Sequence, residues 1–92
     1  MDDTAARVLM DDCLEQFARL ENLRAKTLRV LPEGEEKQTW NRRFAAALAS
    51  ISDLMRPIAK RFPHLDPTED DFQRARERLG FSVDPEIGPP RR

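Results

Sequence analysis

The chain has 92 residues, 39% of them apolar and 36% charged, with a formal net charge of −1. That length supports a single domain with a small core and not two domains, and the near-neutral charge gives no global attraction to nucleic acid or to an acidic membrane. The single cysteine, Cys13, excludes an intramolecular disulfide framework. The first residues lack the basic segment and apolar run of a signal peptide, and the apolar runs fall far short of the about 20 residues of a membrane span. Cytoplasmic residence is the expectation. Gly is scarce, Tyr is absent, and the short apolar alternation that marks strands is missing, so the expected fold class is all-α.

The first periodic segment runs from about Thr4 to Val30. Ala6, Leu9, Cys13, Phe17, Leu20, Leu23, Thr27 and Leu31 recur at steps of three or four, and Met10, Leu14 and Leu28 widen the stripe. Asp11, Asp12, Glu15, Arg19, Asn22, Lys26 and Arg29 fall mainly on the other side, which is the pattern of a helix with one dry face. Asp2, Asp3 or Thr4 can cap its first amides. Arg24 falls inside the stripe, where its aliphatic stem can lie along the seam while its charge reaches water. Pro32-Glu33-Gly34 then breaks the pattern, and Glu35 and Glu36 suit the first turn of a second helix.

The second segment carries the clearest periodicity. Trp40, Phe44, Ala47, Leu48, Ile51, Leu54, Met55, Ile58 and Phe62 form a narrow apolar stripe. Pro57 cannot donate to the carbonyl of Asp53, yet Ile58 and Phe62 stay in phase with Ile51 and Leu54. One helix bent at Pro57 and ending near Phe62-Pro63 is therefore expected over two unrelated ones. Trp40, in phase with Phe44 and Ile51, is expected to pack in the core at the hairpin end.

Asp66 as N-cap, Pro67 in the first helical position and Glu69 in a capping box predict the start of a third helix. Phe72, Ala75 and Leu79 give it a short inner face. Gly80 can take the left-handed closing position, with Phe81 folding back as an apolar latch. Residues 1–83 are expected to form the domain, with 84–92 an extended or disordered tail that Ile87 can anchor.

Two long helices joined by a short turn predict an antiparallel hairpin, about 40 Å long by the helical rise. A third helix of about 20 Å cannot cover it. Phe17, Leu20, Trp40, Phe44, Ile51 and Met55 are expected to leave apolar surface that a second hairpin would bury in a helical bundle, a homodimer being the simplest closed arrangement.

No constellation points to catalysis or metal. Cys13 lies on the apolar stripe beside Leu9 and Phe17, a structural setting; a nucleophile needs a base and a stabilised thiolate. His64 precedes Asp66, Glu69, Asp70 and Asp71, but one histidine with ungapped acids lacks the ligand spacing of a zinc site, and no calcium-loop signature is present. Asp11, Asp12 and Glu15 read as solvated charges. No enzyme activity, cofactor or metal is expected.

Charge is unevenly spread: residues 35–65 carry six bases against three acids, whereas each flanking stretch has an acidic excess. Lys37, Arg42, Arg43, Arg56, Lys60 and Arg61 belong to this middle segment, where they can keep the helix soluble, pair with the acidic flanks or contact phosphates. The leading expectation is a non-catalytic helical interaction or assembly module, with Trp40, Phe44, Ile51, Leu54, Met55 and Ile58 as interface candidates. The alternative is a small nucleic-acid-binding accessory factor using Arg42, Arg43, Arg56, Lys60 and Arg61.

Overall fold

A computed structural model describes residues 1–81 of the chain. The expected domain boundary at residue 83, the tail 84–92 and the anchoring role of Ile87 lie outside the described residues. In chain order the helices are α1 (Asp3–Val30), α2 (Glu35–Arg61) and α3 (Glu69–Arg78), with a 3-10 turn at Pro63–Leu65 before α3. No strand occurs among the described residues. α1 and α2 form the long antiparallel hairpin, and α3 lies on α1. None of the described helices is long and apolar enough to cross a membrane.

Local chemistry sets each boundary. Asp2 caps α1, its carboxylate accepting from the amide of Ala5 at 2.8 Å. Leu31 turns extended ahead of Pro32, because the proline ring disfavours helical geometry in the residue before it. Gly34, at φ +143°, then opens α2 in a conformation that other residues rarely adopt.

Pro57 does not end α2. The helix runs through it to Arg61, and the amide of Phe62 still reaches the carbonyl of Ile58 at 2.8 Å. One donor is missing, while Met55, Ile58 and Ala59 around the gap pack into the core and hold the helix together.

α3 starts later than its sequence suggests. Asp66 is spent closing the 3-10 turn, its amide donating to the carbonyl of Pro63 at 3.1 Å. Thr68 is the N-cap instead. Its hydroxyl accepts from the amide of Asp71 at 3.2 Å, and the Asp71 carboxylate accepts from the amide of Thr68 at 2.9 Å. Glu69 is thus the first helical residue and not the capping-box acid. At the other end Gly80, at φ +77°, lets its own amide reach the carbonyl of Glu77 and the Phe81 amide that of Arg76. This reciprocal closure returns Phe81 to the core, as expected.

The core is thin. Met10, Leu14, Ala18, Met55 and Ala75 form its buried centre, with Cys13, Ile51, Ile58, Ala59, Phe72, Leu79 and Phe81 packed around them. On α1 the deepest line is Ala6, Met10, Leu14 and Ala18: Ala6 belongs to the expected stripe, but its centre moves from Leu9 and Cys13 to Met10 and Leu14, which were expected only to widen it, and to Ala18. The displacement follows from geometry: α1 touches α2 on one flank and α3 on the other, so its deepest line lies between the two partners. Phe17 meets Phe72 edge-on, with ring centroids 5.2 Å apart. Arg76 and Glu21 (3.1 Å) and Arg78 and Glu15 (3.4 Å) pair across the α1–α3 contact. The resulting molecule is flat, 46 × 32 × 16 Å.

Candidate protein-interaction face

Among the described residues, the flat shape leaves one side of the hairpin uncovered. A groove of about 440 Å³ runs between α1 and α2, lined by Leu9 and Cys13 of α1 with Met1 just before it, and by Leu54, Pro57, Ile58 and Arg61 of α2. Its described lining includes no residue of α3. Leu9 and Leu54 are 42% and 64% exposed here, unusual for leucines standing beside a core rather than on an isolated polar surface. Among the described lining residues Arg61 has the one charged side chain, its guanidinium 5.7 Å from the Phe62 ring centroid.

The interface candidates divide between this face and the interior. Phe44 and Met55 are buried within the chain. Ile51 and Ile58 pack against the core while remaining partly open, and Ile58 also lines the groove. Leu54 and Trp40 are exposed. Trp40 is therefore not sealed in the core at the hairpin end: 38% of it stays accessible, stacked obliquely on Phe44 and covered in part by the Arg43 guanidinium 5.0 Å above its ring. The cause is the short reach of α3, which leaves no third element at that end among the described residues. For the same reason the exposed apolar set differs from the expected one. Phe17, Phe44 and Met55 are covered by their neighbours, while Leu9, Leu23, Val30, Trp40 and Leu54 are left open.

Comparison with protein-family models, with curated proteins and with solved structures finds no match to this chain. The site is therefore read from its own chemistry.

Cys13 lines the apolar groove, where burial first and the Asp12 carboxylate second push its thiol above the usual range. The shift keeps it protonated, the reverse of what an attacking thiolate needs. His64 occupies a different place, a small polar crevice with Arg7, Asp11 and Asp71. Its Nε2 pairs with the carboxylate of Asp3, tying the start of α1 to the 3-10 turn. The hydrogen bond from His64 is the largest cause holding Asp3 below the usual carboxylate range. Cys13 and His64 are thus not brought together. The acids after His64 are engaged locally: Asp70 with Arg74, and Asp71 in the cap of α3. Among the described residues no three His, Cys, Asp or Glu side chains gather as a metal-binding group.

The basic candidates all point to solvent, in two separated groups. Arg42 and Arg43 stand near the start of α2, and Arg56, Lys60 and Arg61 near its end, about 20 Å away by the helical rise. The exposed stretch between them carries Ala45, Ala46, Ala49, Ser50 and the acidic Asp53, with no basic residue to join the groups. Arg56 is paired with Asp53 at 2.9 Å, and Arg43 and Arg61 lie against aromatic rings.

Composition of the stripes did not foretell which of their residues would be open. Spacing narrows the choice without making it: Leu9, Leu23 and Val30 on α1, and Trp40 and Leu54 on α2, fall on seven-residue registers, the period of helices that pack along a shared seam, but so do the inward Phe44, Ile51 and Ile58.

Proposed function

We propose that this chain is a non-catalytic helical interaction module whose working surface is the bare side of the α1–α2 hairpin. The observation that carries the reading is the apolar groove, in which Leu9 and Leu54 stand open beside Cys13, Pro57 and Ile58. An apolar furrow between two parallel ridges accepts a third ridge of side chains, as helix packing requires. The direct test is uptake of an environment-sensitive apolar dye by dilute protein. Wild type is expected to enhance the dye's emission, and Leu54→Glu to abolish the enhancement while keeping the far-UV helix signal. Equal dye binding by the two proteins would place the sticky surface elsewhere and sink the reading.

The nucleic-acid alternative rests on the exposed bases of α2. It is the weaker reading because the bases form two groups with no basic residue between them, and several already have acidic or aromatic neighbours. Reversing Arg42, Arg43, Arg56, Lys60 and Arg61 to glutamate is expected to leave a negligible change in DNA or RNA binding at low salt. Strong, salt-sensitive binding lost in that variant would reverse the order of the two readings.

A further inference from the structure

The exposed apolar residues are not scattered. Seven large ones are open among the described residues: Met1, Val8, Leu9, Leu23, Val30, Trp40 and Leu54. Five of them lie on two lines of strict seven-residue spacing. On α1 the line is Leu9, Gln16, Leu23 and Val30; on α2 it is Trp40, Ala47, Leu54 and Arg61. Leu9 and Leu54 line one groove, so the lines run along the same side of the hairpin, and Met1 adds to the same end. Alongside the α2 line run Phe44, Ile51 and Ile58, also seven apart and turned further inward. Together they complete the three-four alternation of a coiled-coil seam. The inner register is occupied by the chain's own α1, while the outer one has no occupant among the described residues.

We infer that the occupant is a second copy of this chain, docked face to face along these lines into a four-helix core with each α3 on the outside. This rests on the reading of the bare side as an interaction surface and names its partner. Three features of the face favour a copy of itself. The first is size. A face about 42 Å long and, for two helices side by side, about 20 Å wide covers roughly 800 Å² per copy, the area of a standard stable interface. The second is matching twist. A seven-residue line drifts by about 20° per repeat on a straight helix, and two identical hairpins share that drift, so their seams stay in contact over the full length. The third is charge. Glu36 and Arg61 are both exposed near opposite ends of α2, and the interval between them is about seven whole turns, which puts them on one flank. A twofold axis across the helices runs α2 antiparallel to its copy and sets each acid against the other copy's base.

The test is mass in solution by sedimentation and light scattering across micromolar concentrations of the full chain. Val8→Glu is the control, since Val8 is exposed but lies on neither line. Wild type and Val8→Glu are expected to approach twice the 10.7 kDa chain mass. Leu54→Glu and Leu23→Glu are expected to halve it, each with an unchanged helix signal; having the charge on either helix guards against one variant failing to fold. A doubled mass that persists in both variants overturns the inference, because self-association would then use another surface. A single-chain mass at every concentration also overturns it. In that case, dye uptake sensitive to Leu54→Glu leaves the interaction-module reading standing with a different partner, and absence of such uptake removes both.

Discussion

The two ends of the hairpin are made from the same pair of helices under different constraints. Where α3 and the 3-10 turn lie on α1, the chain has its whole buried cluster, from Met10, Leu14 and Ala18 to Met55 and Ala75. Toward the Pro32–Gly34 turn the same helices meet, among the described residues, only each other. Phe44 is the one buried side chain there, and Leu23, Val30 and Trp40 stand open. Two helices bury one narrow seam each, while a third neighbour widens the dry arc of α1 enough to enclose whole side chains. An element of ten residues, α3, therefore decides in which half of a hairpin more than twice its length whole side chains are enclosed, while the groove at Leu9 and Leu54 stays open on the far side of that same half.

The sharpest way to break this comparison is to mutate neighbours with opposite environments. Met55 is buried at the three-helix end, and Leu54, one residue earlier, is open. Met55→Ala is expected to cost about 3 kcal/mol in urea denaturation, since it removes buried surface and leaves a cavity in a core with little to spare. Leu54→Ala, measured in dilute protein, is expected to cost well under about 1 kcal/mol. Similar losses for the pair would show that the groove is not open.

Fixation of α3 comes next in size. Gly80→Ala is expected to cost about 1 kcal/mol, purely from backbone conformation. A Cβ built there meets nothing within 4 Å, but the φ of +77° disfavours one. Asp71→Ala should cost a similar amount, about 1 kcal/mol at neutral pH. Its hydrogen bond from the Thr68 amide is the largest cause holding the Asp71 carboxyl below its ordinary value. A lowered folded-state pKa contributes stability that is fully present above the unfolded value, about 3.9, and is lost as pH falls through the folded one. The gap between wild type and Asp71→Ala should therefore narrow in urea titrations repeated at pH values below that range. A gap independent of pH would detach the cap from the charge. The smallest effect is expected at the two-helix end, where Val30→Ser should change stability by less than about 0.5 kcal/mol in dilute protein.

Much of the fold was legible because it depends on neighbours along the chain. The two long apolar stripes, the Pro-Gly break, the continuation through Pro57 and the glycine closure with Phe81 are all local consequences of residue type and phase. The start of α3 was not, because Asp66 serves the preceding turn and gives up the cap to Thr68. The candidate face was legible only in part. Leu54 and Ile58 belong to it, whereas Phe44 and Met55 turn inward. Periodicity marks the dry arc of a helix but not which edge of that arc a tertiary neighbour takes. Ala18 and Ala75 show the same limit, since their burial comes from the close approach of α1 and α3 and not from hydrophobic bulk.

Amide hydrogen exchange followed as a function of protein concentration tests the central claim most directly, because it reads both halves of the hairpin at once. Protection of residues 21–30 and 35–48 is expected to rise with concentration as a second copy covers the open face. Amides around Leu14 and Ala75, already enclosed by three helices, should start from a high protection and gain only what dimerisation adds to global stability. Exchange at the two-helix end that is fast at every concentration, or protection there that does not rise with concentration, would contradict the account.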